Sequence, residues 1–318
     1  MQYNVLMIKT VKQEIQKVIV GQEALIDGML IALLSGGHIL AEGVPGIAKT
    51  TAVNTMARVM GFDFKRIQFT PDLLPADITG SEILDLQHHT FKLKHGPIFT
   101  HLLLADEINR AGAKVQSALL EAMAEKQVTI GEQSFKLETP FMVLATANPV
   151  EQDGTYELPE ASLDRFMLKI TVGYNTIEEE FEIVQRVAQN GFGEIHAVMD
   201  KTEFMHLKQE VDAIHIEEAL SHYMLKLVFA TREPETYGLE DIAAYLDFGV
   251  SPRGSIDLYK ASKARAYLDG KTFVTPADIA RVAFPVLRHR MRLSYHAVSQ
   301  GITADDIIRK ILEKVPAP

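Results

Sequence analysis

Gly43-Val44-Pro45-Gly46-Ile47-Ala48-Lys49-Thr50 places two glycines, a lysine and a threonine between an apolar run, His38-Ile39-Leu40-Ala41, and a helical stretch, Thr51 to Met60, closed by Gly61. A strand, a glycine-containing turn, Lys-Thr and a helix form a cradle for phosphates. Backbone N–H groups and the helix dipole both favour an anion there. Lys49 would reach the terminal phosphates of a nucleoside triphosphate, and Thr50 would ligate Mg²⁺. The usual pattern has Gly before the lysine; here it is Ala48, tolerable if that residue already has helical dihedrals. A plain tight turn ahead of a helix is the competing reading of the segment alone.

Two further strand ends carry matching chemistry. His101 to Ala105 is a buried run that ends in Asp106-Glu107. Asp106 would hold the metal, and Glu107 would take a proton from an attacking water. Acids at a helix start are the alternative. Phe141 to Ala147 is another buried run, ending at Asn148-Pro149. Three strand ends that each deliver polar groups argue together for one site.

The elements that must position these residues follow from periodicity. Val5, Ile8, Val11, Ile15 and Val18 recur at helical spacing, and a second helix begins near Gln22 and runs to Ser35. Phe64 to Phe69 reads as a strand, Leu73 to Gly80 as a short helix and turn, and Phe91 to Lys94 as an exposed strand. Val115, Leu119, Ala122 and Met123 mark a helix that leads into a hairpin over 127–136. Phe166 to Ile170 is a last strand. Strands alternating with helices predict an α/β fold with a doubly wound parallel sheet, whose ligands bind at the carboxyl ends of the strands.

Beyond residue 174 the pattern is helical. Phe181, Val184 and Val187-Ala188 form one stripe; Ile216, Ala219-Leu220, Tyr223, Leu227 and Val228 form another. Ser251-Pro252, Thr275-Pro276 and Thr303-Ala304 are helix starts. The boundary is expected near 172–177, giving a core over 1–174 and an all-helical domain over 175–318.

Composition narrows the class. With 318 residues, 47% of them hydrophobic, the chain can bury a sizeable core. No apolar run is long enough to span a bilayer. The chain has no cysteine, which excludes disulfides and thiolate metal sites and suits a cytoplasmic protein. A net charge of -10 argues against general affinity for nucleic acid. His88-His89, His95 and His101 lack ligand spacing and read as surface histidines. Arg288-His289-Arg290-Met291-Arg292 reads as a solvated helix end or a subunit contact, and Glu178-Glu179-Glu180 as the acidic first turn of a helix.

Five segments in order, Glu42 to Thr50, Arg66 to Pro75, Ala105 to Ala111, Ala145 to Pro149 and Leu158 to Phe166, together with Ser251-Pro252-Arg253, resemble the MoxR family of AAA+ ATPases. The resemblance covers nearly the whole chain, and Ala48 is a variant found in that family. It implies a P-loop AAA+ core, a C-terminal helical lid, ATP and Mg²⁺ as ligands, and Mg-dependent hydrolysis. It implies that Gly43 to Thr51 bind phosphate and that Ile19 and Val20 lie beside the adenine. Asn148 matches sensor 1, and Arg253 matches sensor 2, expected to reach the γ-phosphate from the lid. Arg165 matches the arginine finger, acting on a neighbouring subunit's nucleotide, with Arg110 the alternative and a salt bridge to Asp164 or another acid the structural option. Residues 81–99 resemble the helix-2 insert and 127–136 the hairpin before sensor 1. A homo-oligomeric ring, most simply a hexamer, is implied, with chaperone-like remodelling of a protein client such as one bearing a von Willebrand factor A domain. Competing classes are a slow nucleotide switch or scaffold and a nucleic-acid-stimulated motor.

Overall fold

A computed structural model describes residues 2–43, 49–86, 88–147, 155–189 and 191–318, with side chains from residue 6 onward. The chain opens with α1 (Gln2–Gln16) and α2 (Glu23–Ser35), followed by β1 (Ile39–Glu42), α3 (Lys49–Val59) and β2 (Phe64–Gln68). The short α4 (Pro75–Thr79) leads into a hairpin of β3 (Gly80–Asp85) and β4 (Thr90–His95). Then come β5 (Leu102–Asp106), α5 (Ala113–Glu125), a second hairpin of β6 (Gln127–Ile130) and β7 (Gln133–Lys136), and β8 (Met142–Ala147). A single turn, α6 (Glu160–Leu163), precedes β9 (Leu168–Thr171).

Five strands form one parallel sheet in the order β2-β5-β8-β1-β9. Alternation along each strand divides the core in two. Leu102, Leu104, Met142, Leu144, Ile39 and Ala41 face one buried cluster with α1, α2 and α3. Leu103, Ala105, Val143, Ala145 and Leu40 face another with α5. A strand's side chains point to opposite faces in turn, so continuous apolar runs are what a sheet covered on both sides requires.

His38 locks the amino end of this sheet. It is buried, its Nε2 donates to the Met123 carbonyl at 3.2 Å, and its Nδ1 accepts from the Val143 N–H at 3.0 Å. Burial holds its pKa down, to about 4. The folded state therefore keeps His38 neutral, while the unfolded chain binds a proton below pH 6.5. Stability is unaffected above that pH and falls as pH drops from 6.5 toward 4. Between pH 7.5 and 5 the expected loss from His38 is on the order of 2 kcal/mol. His289, buried and also pushed down by desolvation, adds to it in the same direction. Urea midpoints at the two pH values check this, and a loss undiminished in a His38→Gln variant would count against it.

The remaining helices are α7 (Ile177–Gln189), α8 (Lys201–Asp212), α9 (Glu218–Ala230), α10 (Glu240–Ala243), α11 (Pro252–Leu268), α12 (Pro276–Leu287), α13 (Tyr295–Ser299) and α14 (Ala304–Lys314). The helix starts lie where the Ser/Thr-Pro and Thr-Ala pairs predict. The Ser251 and Thr303 hydroxyls accept from backbone N–H groups, and Thr275 and Thr303 each form a capping box with an Asp three residues on. A two-stranded ribbon, β10 (Leu246–Phe248) with β11 (Arg292–Leu293), is added to this helical region. Leu220, Tyr223, Leu227 and Val228 are buried as their spacing predicts, whereas Phe181, Val184 and Val187 are not. The first buried cluster runs on from α1–α3 through α8, α9, α11, α12 and α14, so the helical region packs directly on the sheet's covering layer.

Candidate functional site

β1 carries the chain to Gly43 at the carboxyl edge of the sheet. A side chain here would collide with the Val172 carbonyl, 2.3 Å from where a Cβ would sit, so only glycine fits. Val44, Pro45, Gly46, Ile47 and Ala48 lie outside the described residues, as does Asn148. α3 begins at Lys49, with Thr50 and Thr51 in its first turn. The Lys49 ammonium donates to the Gly43 carbonyl at 2.9 Å. Burial lowers its pKa, and the charges of Asp106 and Glu107 oppose that shift, which places both carboxylates within electrostatic reach of the lysine.

The two acids share one hydroxyl. Thr146, near the end of β8, donates to Asp106 Oδ1 at 2.6 Å and accepts from the Glu107 N–H at 2.8 Å. Asp106 Oδ2 also receives Arg66, whose Nη2 lies at 2.6 Å and whose Nε lies at 3.2 Å. Glu107 sits at φ 57°, a left-handed conformation that costs a glutamate about 1–3 kcal/mol and is characteristic of functional sites. Its Oε2 accepts from Arg110 Nη1 at 3.0 Å in the same chain. Sequence reasoning assigned no role to Thr146 or Arg66. The register Gln68↔Asp106 sets Arg66 two residues back on the adjacent strand, a relation visible only once strand order is known.

Ile19 and Val20 come to the same edge. Asn175 Nδ2 donates to the Val20 carbonyl at 2.9 Å, and Asn175 lies three residues beyond Val172, the residue packed on Gly43. Both Ile19 and Val20 are buried.

Arg165 and Arg253 do not come to this edge. β9 runs parallel to β1 with Leu168 beside Ile39 and Thr171 beside Glu42. Residues 164–166 therefore precede the amino end of the sheet, roughly 10 Å or more from the phosphate-loop end by strand length alone. Arg165 lines a cleft of about 520 Å³ with Ser117, Glu121, Glu125, Gln127 and Ser162. Next to it, Asp164 gathers the helical region. It accepts from the Ser251 hydroxyl at 2.9 Å and from Arg290 Nε at 3.0 Å, and Arg253 Nη1 lies 3.5 Å away. The expected reach of Arg253 to its own chain's phosphate site is thus not what the fold provides.

The basic cluster is likewise not a solvated helix end. Arg290 is buried, donating to the Phe166, Met167 and Val286 carbonyls and to Asp257 Oδ2 at 2.5 Å. His289 pairs with the Phe166 carbonyl at 2.8 Å, and Arg288 with Asp305 and the Lys169 carbonyl.

A family model for the ATPase family associated with various cellular activities (AAA) matches residues 38–168, and one for the AAA lid domain matches residues 240–311. The chain is 45% identical over 305 residues to "Chaperone MoxR1" of Mycobacterium tuberculosis, covering 96% of this chain and 81% of the relative. The chain belongs to the MoxR family of AAA+ ATPases. An uncharacterized Bacillus subtilis protein, YeaC, is 42% identical, covering 96% of this chain and 93% of its own. A crystal structure from Cytophaga hutchinsonii, 48% identical, superposes with a TM-score of 0.94 over 100% of this chain and 96% of that one. The AAA match spans β1 to the start of β9, and the lid match spans α10 into α14. No helix among the described residues is long and apolar enough to cross a membrane.

Proposed function

We propose that this MoxR-type ATPase binds Mg-ATP at the carboxyl edge of its sheet and hydrolyses it to remodel or mature a protein partner in the cytoplasm. The observation that carries the reading is the convergence of Lys49, Asp106, Glu107 and Thr146 at the end of β1, β5 and β8. The residues fit the ligand. The Lys49 ammonium at a helix start lies within electrostatic reach of two carboxylates, the arrangement that a triphosphate and its cation would share.

Gly43 to Thr51, including the residues outside the description, would hold the phosphates, and Ile19 and Val20 the adenine. Thr50 and Asp106 would hold Mg²⁺, which supplies charge neutralisation at the phosphates when bound. Glu107 takes the proton of the attacking water as the water oxygen bonds the γ-phosphorus and the bond to ADP breaks. Thr146 fixes the Asp106 carboxylate and the Glu107 backbone, and Asn148 would orient the water.

Arg165, with Arg253 beside the same Asp164, serves the nucleotide of an adjacent subunit, where a guanidinium neutralises transition-state charge. The active form is then a ring, a hexamer by family resemblance. The chaperone name of the mycobacterial relative supports a protein client, and family resemblance points to a von Willebrand factor A domain partner. Arg110, held by Glu107 of its own chain, is not the trans residue in this reading.

Mixing separates the alternatives. Lys49→Ala subunits lack nucleotide but offer Arg165; Arg165→Ala subunits bind nucleotide but offer no finger. Each alone should be nearly inactive, and an equal mixture should recover activity at about a quarter of sites by random neighbour pairing. Phosphate release from the mixture that equals the sum of the separate proteins, with mixed rings present, would remove the trans role.

A further inference from the structure

α7 carries its apolar stripe on the outside. Ile177, Phe181, Val184 and Val187 recur at helical spacing, yet they are between 61% and 84% exposed, and no residue of the helix is buried. The polar side faces the body: Arg186 donates to the Gln16 and Lys17 carbonyls, and the Glu179 carboxylate lies against Gly21. A soluble chain normally turns such a stripe to its core. An exposed contiguous apolar row marks an interaction surface.

Position narrows the occupant. α7 follows Asn175 and Val172, so it starts at the carboxyl edge, beside Val20 and Gly43. That is the edge an adjacent subunit must approach if it delivers Arg165 and Arg253. On the delivering side, α11 bears Arg253 in its first turn, and Ile256 and Tyr259 follow on its exposed face. α9, packed against α11, leaves Leu225 and Phe229 exposed. The charges around the two faces are opposite. Glu178 and Glu180 are exposed on α7, and Lys226 and Lys260 are exposed on α9 and α11.

We infer that the α7 stripe is the docking face for a second copy of this chain, and that the copy presents the α11 face carrying Ile256 and Tyr259. The inference rests on the reading that sites are completed across subunits. Opposite charges on the two faces favour α7 against α11 over α7 against itself. A contact between two different faces repeats from copy to copy and closes as a ring when the rotation allows.

The absence of cysteine makes the test direct. Val184→Cys and Ile256→Cys proteins, mixed with Mg-ATP and treated with a short bismaleimide, should give a cross-linked dimer. Each variant alone should stay uncross-linked, and the double variant should give a ladder. Assembled rings with no cross-link, or linkage of Val184→Cys to itself, would overturn the assignment and leave the ring reading standing. Wild-type protein that stays monomeric at every concentration with Mg-ATP would overturn both. Phe181→Asp gives a second measure: its concentration for half-assembly should rise about tenfold or more. Its melting temperature should not fall, because Phe181 is exposed in the single chain. Unchanged assembly of this variant would sink the proposal.

Discussion

Glu107→Gln abolishes turnover but not binding: phosphate release falls by roughly 10²–10⁴-fold, the usual worth of a positioned general base. The amide keeps the shape of the side chain and can still meet Arg110, but it takes no proton from water. Asp106, Thr146 and Lys49 remain in place, because their contacts do not involve the Glu107 side chain; Thr146 meets only its backbone N–H. A fluorescent-nucleotide titration should therefore give an affinity close to wild type, while phosphate release drops. Held with ATP, the variant should also retain a client that the wild type releases. Equal phosphate release from both proteins would remove Glu107 as the base. A change to Ala would be less informative, since loss of the side chain also removes the Glu107–Arg110 pair.

Arg290→Met is expected to destabilise the fold by about 3–5 kcal/mol, the cost of breaking a buried ion pair from one side. The guanidinium is almost fully enclosed and joins the Asp164 and Asp257 carboxylates to four backbone carbonyls. Methionine fills similar space but leaves those acceptors without donors in a place water does not reach. Burial already pushes the Asp257 carboxyl up against the pull of Arg290, so the variant would favour its protonated form. The Arg288–Asp305 pair supplies a comparison, because Asp305 is partly exposed and such pairs are worth about 0–1 kcal/mol. Urea midpoints of the two variants should differ accordingly. An Arg290→Met midpoint no lower than that of Arg288→Met would show that the buried network contributes little.

Much of the carboxyl edge was legible before any coordinates. Apolar runs that end in Gly43 and in Asp106-Glu107 carry both the strand and its terminus in consecutive residues. The parallel sheet follows from their alternation with helices. What sequence could not convey was where the helical region docks. Arg253 lies 89 residues after Asp164, and nothing in that interval says that the two meet. Arg290 sits among charged neighbours and reads as surface, since burial depends on Phe166 and Asp257 arriving from elsewhere. The α7 stripe shows the opposite case. Its period marks a face that needs covering but not whether its own chain does so. Thr146 and Arg66 depend on strand order, which local pattern does not encode.

Asp164 acts as a pivot pin. Three groups of the helical region, Ser251, Arg253 and Arg290, hold its carboxylate, and Arg165 is the next residue in the chain. A rotation of that region would pull directly on Asp164, to which Arg165 is joined by one peptide bond. Under the proposal that Arg165 serves an adjacent subunit, the tilt of the helical region would alter the aim of that guanidinium across the interface.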